Sequence, residues 1–341
     1  MRTKFKIFFI AILAVAVWGC SNDDDTPKLS ELEQKFMTIE NAVYKNEAFP
    51  SSTTEEKING IDMSNQVMNG AMNYISIATE QKFSKFFIGI KGLNGFFEYV
   101  PSGMSQTRSN VYATEYNTYV IPVMMSESYS GNSTIILSGQ LDNGDITIPV
   151  ENDIFYIETM PGAIEVKLSF SNSKDVDLHL YTPSGEHIFY GNRGGAFADE
   201  FGDSISYGLD IDSNAGCNID GINKENIYIP AELVEDGTYT VVVDMYENCE
   251  SSIPTNWSIV TRYQGDIITP TMGVNPSSGV YPSGASNGDM TKVMTFTVGD
   301  ANNQTRSSSS SKINWYNVKK FPLSDMDEMK LIEQEYRDKF K

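Results

Sequence analysis

Short runs of hydrophobic residues, separated by glycine, asparagine and serine, occupy most of the chain between residues 31 and 300. Phe86–Ile90 and Phe96–Val100 are two such runs, and the segment Lys91–Gly95 between them ends in an Asn-Gly pair typical of a hairpin turn. No apolar run with helical spacing exceeds two turns between residues 60 and 300. Short strands with frequent turn signals predict β-sandwiches and not an alternation of strands and helices.

Two consecutive blocks of strands are predicted, 31–152 and 153–300. The first contains the hairpin above and the strands Tyr119–Met125, Thr134–Ser138 and Asp145–Val150. The second contains the strands Ile164–Phe170, Val176–Tyr181, His187–Tyr190, Tyr239–Met245, Trp257–Tyr263 and Val293–Val298. Five glycines between residues 191 and 208 indicate a long, bendable loop. The predicted fold is therefore all-β, with two antiparallel β-sandwich domains in series.

The first 19 residues have the features of a secretory signal peptide. Basic residues at positions 2, 4 and 6 precede an apolar run of 11 residues, which is too short for a transmembrane helix of about 20 residues. The run ends at Trp18-Gly19-Cys20, and a small residue before cysteine resembles the bacterial lipobox, although Trp18 is bulky for that motif. We therefore expect a signal peptide at 1–19 and a lipid on Cys20 that anchors the mature chain to a membrane.

An acidic tether, 20–30, follows the lipidation site. Its Asp23-Asp24-Asp25 run is similar to the export tag by which Bacteroidetes-type bacteria carry lipoproteins to the outer leaflet. This resemblance implies an outer-membrane, lipid-anchored protein exposed at the cell surface. An uncleaved membrane anchor or an ordinary acidic linker is the alternative, and the sequence does not fix the leaflet.

The C-terminal end departs from the strand pattern. Residues 301–312 form a serine-rich linker, and 313–341 are predicted to contain a short helix that Ser324 can cap. The helix has one apolar stripe, formed by Met329, Ile332, Tyr336 and Phe340. This stripe either packs against the chain's own domain or docks on a partner protein.

The charge of the chain excludes some partners. The 341 residues include 25 Lys and Arg against 45 Asp and Glu, a formal charge of −20. Three of the basic residues belong to the signal peptide, so the mature chain has 22 and a charge of about −23. Such a chain lacks the basic clusters that bind nucleic acid or an anionic membrane surface. Cations, glycans and other proteins remain as partners.

Two cysteines remain once Cys20 is assigned to the lipid. Cys217 and Cys249 form an even pair in an exported chain, which predicts a disulfide. Two buried thiols or a metal-bound pair are the alternatives.

Residues 175 to about 263 resemble the YfaP-like family, a group of bacterial exported domains of unknown function. Five blocks occur in the family's order, namely Asp175–Asn192, Leu209–Cys217, Glu225–Ile227, Gly237–Tyr239 and Pro254–Asn256. The segment Ala196–Gly208 is longer than is typical of the family. The resemblance implies an antiparallel β-sandwich outside the cytoplasm, and it implies no established reaction.

Acidic residues recur at alternate positions in this region. Asp175 and Asp177 project from the same face of a predicted strand, and Asp210, Asp212 and Asn214 repeat the spacing. If the two segments are neighbours, their oxygens fit a structural Ca²⁺ ion, which takes six to eight oxygen ligands. The alternative is a solvated acidic face without an ion.

Both histidines of the chain, His179 and His187, lie in one predicted hairpin. Together with Asp177 or Glu186 they could form a Zn²⁺ site if the strand register brings them together. The interpretation we favour from the sequence is a pair of hairpin histidines that hydrogen-bond neighbouring carboxylates.

No catalytic motif is present. With two histidines and no G-x-S-x-G, Walker A, G-x-G-x-x-G or H-E-x-x-H pattern, the chain lacks the usual signals of a hydrolase triad, an NTPase, a dehydrogenase or a metalloprotease. A glycoside hydrolase needs only two carboxylates, but Trp257 and Trp315 are the only tryptophans after the signal peptide. The sequence therefore predicts a non-catalytic protein, with no catalytic residues to assign.

The predicted role is a binding or accessory protein at the outer-membrane surface, with a glycan or a protein as ligand. A scaffold subunit that docks through the C-terminal helix is the alternative, and a carboxylate-dependent glycoside hydrolase is a third. Five aromatic residues predicted in loops could stack on the apolar faces of sugar rings, namely Tyr112, Tyr116, Tyr119, Phe197 and Phe201. The alternative places these rings in the sandwich cores, where Phe and Tyr are usually found.

Overall fold

The computed structural model describes residues 29–101, 105–108, 115–198, 204–250 and 252–299. The predicted signal peptide, Cys20, the linker 301–312 and the helical segment 313–341 lie outside the described residues, as does the tether except for its last two positions. These remain predictions. The helices in the described part of the chain are too short to cross a lipid bilayer.

The first block begins with one turn of helix and continues as eleven strands. The helix α1 (Glu31–Lys35) starts at a capping box, in which Ser30 and Glu33 each accept a hydrogen bond from the other's backbone N–H. The strands are β1 (Met37–Ile39), β2 (Ala42–Lys45), β3 (Ile61–Asp62), β4 (Gln66–Val67), β5 (Met72–Thr79), β6 (Phe83–Ile90), β7 (Phe96–Tyr99), β8 (Ser105–Arg108), β9 (Glu115–Met125), β10 (Asn132–Leu141) and β11 (Val150–Tyr156).

These strands form two sheets that enclose one core. The first sheet has the order β1-β9-β5-β3, with β8 paired to β9, and the second has the order β2-β7-β6-β10-β11-β4. Ile75 and Val123 of the first sheet and Phe86 and Leu137 of the second belong to the same buried cluster. All these pairs are antiparallel except the short β4–β11 pair. The predicted antiparallel sandwich is confirmed.

The second block has the same architecture. Its strands are β12 (Ile164–Phe170), β13 (Asp175–Tyr181), β14 (His187–Ile188), β15 (Gly194–Ala198), β16 (Ser204–Ile211), β17 (Lys224–Ile229), β18 (Gly237–Glu247), β19 (Thr255–Tyr263), β20 (Asp266–Ile267), β21 (Ser277–Tyr281) and β22 (Asp289–Val298). Two 3₁₀ turns, Ala215–Cys217 and Ala231–Leu233, interrupt the series.

One sheet of this block has the order β15-β16-β17-β12-β19-β20, with β21 paired to β19, and the other has the order β14-β13-β18-β22. Leu168 and Ile259 of the first sheet pack with Leu178, Val243 and Phe296 of the second in one buried cluster. The whole of β13 is buried. Polar residues on this strand are therefore enclosed by the fold instead of facing water.

The structure changes three details of the predicted strands. The boundary expected at 152/153 falls inside β11, which pairs with β10, so the link between the sandwiches is 157–163. Within the strand expected over Asp145–Val150, Ile146 and Ile148 form only single bridges, to Gln140 and Lys57 respectively, and Val150 is the first residue of β11. The strand expected over His187–Tyr190 ends at Ile188.

The loop expected over residues 191–208 contains strands. β15 and β16 form a hairpin there, and β16 continues the sheet by pairing with β17. The glycines are needed for close strand contact: Gly208 has φ +128°, and a Cβ atom at this position would lie 1.8 Å from the carbonyl oxygen of Arg193. The glycines therefore allow β15 and β16 to pair closely, whereas the sequence was interpreted as a bendable loop.

Buried lysines join the two sandwiches. The Nζ of Lys224 donates to Oδ1 of Asn73 at 3.2 Å, and the Nζ of Lys167 donates to the carbonyl oxygen of Asn69 at 2.9 Å. Burial lowers the pKa of Lys224 to about 7. Each lysine is less than a twentieth exposed, so the contact between the sandwiches excludes water around these ammonium groups.

The predicted disulfide between Cys217 and Cys249 is confirmed. It ties the 3₁₀ turn that follows β16 to the segment after β18; the two cysteines are 32 positions apart in the sequence, and their Cα atoms are 5.6 Å apart. The bond therefore fixes a short turn to the end of β18.

Replacing both cysteines, as Cys217→Ser/Cys249→Ser, should lower the free energy of unfolding by about 3–4 kcal/mol, because the unfolded chain then loses its loop constraint. Urea unfolding of both proteins in EDTA measures the difference. Labelling of both cysteines by a thiol reagent in the unreduced native protein would contradict the pairing.

Candidate metal site

Acidic side chains from both sheets of the second sandwich meet at one end of β13. Asp175 and Asp177 lie on β13, and Asp244 lies opposite Asp177 on β18. Glu225 lies on β17 in the other sheet, and its Oε2 accepts a hydrogen bond of 2.6 Å from the backbone N–H of Leu178. This bond joins the two sheets and brings Glu225 beside β13.

The acidic groups form two overlapping clusters around Asp177. In the first cluster, carboxylate oxygens of Asp177, Asp212 and Glu225 all lie within 4.8 Å of one another. In the second, an oxygen of Asp177, a ring nitrogen of His179 and an oxygen of Asp244 lie within the same distance. The first cluster offers only oxygen atoms, which suits a hard cation such as Ca²⁺.

Four carboxylate oxygens at this place have no hydrogen-bond partner among the residues that the structure describes. They are Oδ1 of Asp175, Oδ2 of Asp177, Oδ1 of Asp212 and Oε1 of Glu225. Asp175, Asp177 and Glu225 are each 3% exposed or less. A buried carboxylate oxygen without a donor is energetically costly, and a cation bound between these atoms would supply the missing interaction.

Two hydrogen bonds position the edges of the cluster. The backbone N–H of Gly216 donates to Oδ2 of Asp175 at 2.6 Å, and this glycine lies in the 3₁₀ turn next to the disulfide-bonded Cys217. Nη1 of Arg193 lies 3.2 Å from Oδ2 of Asp212. The Arg193 side chain is about half exposed, so water weakens the compensation that its charge gives to the cluster.

Burial and mutual repulsion raise the pKa values of these acids. The pKa of Asp175 is raised to about 7, first by burial and then by the charges of Asp212 and Glu247. Burial also raises the pKa of Asp177 and of Glu225 well above their usual range, and the neighbouring carboxylates add to both shifts. At neutral pH the cluster must therefore hold protons or a cation.

A cavity of about 390 Å³ opens directly onto the acidic residues. Asp175, Asp177 and Asp212 form its floor, and Tyr190 and Tyr246 are part of its wall. The remaining lining comes from the small residues Gly191, Ala215 and Gly216. The cluster is thus closed by the sheets on one side and reachable from outside on the other.

The structure brings together three of the five residues predicted to bind Ca²⁺, namely Asp175, Asp177 and Asp212. Asp210 faces elsewhere: its Oδ1 accepts from the side-chain amide of Asn226 at 2.7 Å, and its Oδ2 accepts from the backbone N–H of Met160 at 2.7 Å. The β16–β17 register shifts between Leu209 and Ile211. This bulge breaks the alternation that predicted a shared face for Asp210 and Asp212.

Asn214 is also separate from the cluster. Its side-chain nitrogen donates to the carbonyl oxygen of Lys174 at 2.9 Å and to Oδ1 of Asn223 at 2.8 Å, and its Oδ1 accepts from the backbone N–H of Asp220. Asn214 has a positive φ of 60°, a conformation that asparagine tolerates better than most residues. It therefore organises the loop after β16 instead of offering a ligand atom.

Sequence reasoning missed Glu225 and Asp244. Glu225 belongs to one of the blocks that carry the family resemblance, but nothing in the sequence placed it near Asp177. Asp244 was a signal in itself, because it is an acidic residue inside the apolar run Tyr239–Met245. A carboxylate in a strand that is otherwise buried points to a partner or an ion.

The two histidines lie together, as the hairpin predicted. Nδ1 of His179 and Nε2 of His187 form a hydrogen bond of 2.8 Å, and both rings are buried. This bond occupies one nitrogen of each ring. A ring nitrogen of His179 also lies within 4.8 Å of oxygens of Asp177 and Asp244, so the structure places His179 beside Asp177, one of the carboxylates that the sequence suggested for a Zn²⁺ set. Glu186 instead accepts a hydrogen bond of 3.0 Å from the hydroxyl of Tyr207.

One of the aromatic residues considered as sugar platforms is part of a core. Tyr119 is 2% exposed, and its ring packs against Phe83 and Phe86. The side chains of Tyr112, Tyr116, Phe197 and Phe201 lie outside what the structure describes. The aromatic residues that do reach a cavity, Tyr190 and Tyr246, were not singled out from the sequence.

Comparisons with known proteins add little to this picture. The chain matches no protein-family profile and no curated protein. Among solved structures, it is similar to the D00-D0 domain of intimin, with 13% identity over 57% of this chain and 93% of that one, at a TM-score of 0.17. The C-terminal domain of the AgI/II polypeptide BspA from Streptococcus agalactiae gives 9% identity over 61% and 94%, at a TM-score of 0.19. Scores this low carry no argument about function.

The raised pKa of Asp175 predicts a pH dependence of stability in the absence of divalent cations. The folded state favours the protonated form of the Asp175 carboxyl group. Its contribution to the stability of the fold is therefore fully present below pH 4 and is lost as the pH rises through about 7. In EDTA, Asp175→Asn should therefore become more stable relative to the wild type between pH 5 and pH 7.5, by about 3 °C or more in melting temperature.

The comparison with Asp175→Asn is needed because His187 acts in the opposite sense. Burial lowers the pKa of this histidine well below its usual range, so its contribution to stability grows with pH. Both proteins contain His187, and its effect cancels in the difference. A difference in melting temperature that stays constant from pH 5 to pH 7.5 would show that Asp175 is not perturbed.

Proposed function

We propose that this chain is an exported, lipid-anchored, non-catalytic binding protein whose second β-sandwich holds a Ca²⁺ ion. The observation that supports the ion most directly is the set of buried carboxylate oxygens without hydrogen-bond partners at the floor of an open cavity. Asp175, Asp177 and Asp212 line the cavity, and a carboxylate oxygen of Glu225 lies within 4.8 Å of oxygens of Asp177 and Asp212. A divalent cation would replace their mutual repulsion by attraction.

The same arrangement supports a structural role for the ion. Asp175 and Asp177 come from β13, Glu225 from the opposite sheet, and Asp212 from the loop that leads to the disulfide. An ion bound by all four would join both sheets to this loop. The carboxylates lie buried side by side, which suits holding a cation better than acting on either side of a sugar bond.

The cellular location is proposed from the sequence. The predicted signal peptide, Cys20 and the acidic tether together favour a lipoprotein of the outer membrane, and the disulfide Cys217–Cys249 fits an oxidising compartment. Membership of the YfaP-like family remains a proposal that rests on the residue blocks of the second sandwich. The alternative, a scaffold that docks through residues 313–341, stays a prediction, since that segment lies outside the described residues.

Calcium should raise the melting temperature of the wild-type chain by about 5–10 °C over EDTA when the ion is at about 100 times its dissociation constant. Asp177→Asn and Glu225→Gln should remove this response. Both variants should also be at least as stable as the wild type in EDTA, because each removes a carboxyl group whose ionised form is disfavoured by burial and by the neighbouring carboxylates. Differential scanning calorimetry measures both effects.

Asp210→Asn is the matched control for the calcium experiment. It removes a carboxylate only two positions from Asp212, but one that is already hydrogen-bonded to Asn226 and Met160. This variant should keep the full response to calcium even if its baseline stability falls. Identical wild-type melting curves in calcium and in EDTA would refute the ion.

The lipid anchor has a separate test in the native bacterium. Globomycin, which blocks the lipoprotein signal peptidase, should cause the unprocessed precursor to accumulate, and Cys20→Ala should prevent incorporation of labelled palmitate. Digestion of intact cells with a protease should degrade the protein if it is exposed at the surface. Normal processing in globomycin would refute the lipoprotein assignment.

A further inference from the structure

The cavity above the acidic cluster has a wall of aromatic rings. Tyr190 and Tyr246 are both half-buried, and their ring centroids are 4.9 Å apart with the planes at 69°. Phe189 supports the first ring from behind, with a centroid distance of 4.9 Å to Tyr190. The wall is therefore built from rings held at fixed angles, beside a floor of carboxylates.

The protein supplies too few ligands for a calcium ion at this floor. The unpartnered oxygens of Asp175, Asp177, Asp212 and Glu225 number four, and Ca²⁺ takes six to eight, so about two to four positions are left for other oxygens. The sheets close the cluster from below, and the cavity lies above it. Oxygens that reach the ion from the cavity, either of water or of a bound ligand, can fill these positions.

The charge around the ion decides which oxygens are suitable. Four carboxylates exceed the charge of one divalent ion, and Arg193 is the cation that lies against them. The whole chain is also strongly acidic, at −20. An additional carboxylate or phosphate ligand would be repelled, whereas a hydroxyl group coordinates through its oxygen and donates its hydrogen to a neighbouring carboxylate.

The cavity has the dimensions of a small-ligand site. Its volume of about 390 Å³ is within the range of about 300–1,000 Å³ that such sites usually have. Gly216 lies at its edge, and no atom of the described residues lies within 4 Å of the position where a Cβ would stand. A six-membered sugar ring can therefore approach the ion past Gly216, where a larger residue would place a side chain.

We propose that the cavity binds a neutral carbohydrate, with two adjacent hydroxyl groups of one sugar on the Ca²⁺ ion and the apolar face of the sugar against Tyr190 or Tyr246. This inference rests on the calcium site of the proposed function and names the ligand class of that site. The hydroxyl pair completes the coordination shell. The aromatic wall selects a sugar ring over a simple diol.

The test is a glycan array probed with the mature chain, in which Cys20→Ser prevents lipidation. Neutral glycans should bind in calcium, and EDTA should abolish the signal. For the best glycan, titration calorimetry should show an affinity about tenfold lower for Tyr246→Leu and for Tyr190→Leu, because each loses a ring surface. The ring-retaining controls Tyr246→Phe and Tyr190→Phe should stay within about threefold.

The calcium affinity of each variant is measured in the same way without glycan. If a leucine variant no longer binds calcium, its site is misfolded. The leucine and phenylalanine variants of the other tyrosine are then used for the comparison. Calcium binding without any signal from neutral glycans would overturn the carbohydrate while leaving the ion in place, and so would a preference for acidic peptides or phosphates. Glycan binding that persists in EDTA, or in both leucine variants, would overturn the proposed geometry.

Discussion

Repulsion between buried carboxylates is the constraint on which the second sandwich depends. Asp175, Asp177 and Glu225 are removed from water by the packing of two sheets, and their negative charges repel one another. Such a cluster is stable at neutral pH only with bound protons or a cation. The fold therefore carries an electrostatic cost at one end of an otherwise apolar core, and a bound ion would offset it.

The same constraint gives the disulfide a second role. Cys217 is adjacent to Gly216, whose backbone N–H donates to Asp175, and Cys249 follows the strand that contributes Asp244. The cross-link thus holds the turn that forms one edge of the cavity. The disulfide and the hydrogen bond to Asp175 therefore act on the same turn, which lines the cavity through Ala215 and Gly216.

Much of the fold could be predicted from the sequence. Alternating and continuous apolar runs gave the strand β12 with its correct ends and most of the other predicted strands to within a few residues, because buried strands must present apolar side chains. The loop expected over residues 191–208 was wrong because glycines occur both in flexible loops and in closely paired strands. At Gly194 and Gly208 a left-handed or extended glycine allows two strands to approach closely, and the composition of the segment does not distinguish this from a loop.

The candidate site was predicted only in part, for a physical reason. Alternation along one strand placed Asp175 and Asp177 together, since strand geometry is local and repeats every two residues. Asp210 was misplaced because a bulge, which depends on pairing with β17, changed its direction. Glu225 reached the cluster from the opposite sheet, and Tyr190 and Tyr246 came into contact beside the cavity. The sequence alone determined that this chain has acidic strands in an all-β fold, whereas the packing of two sheets decided which acids lose contact with water and lie together.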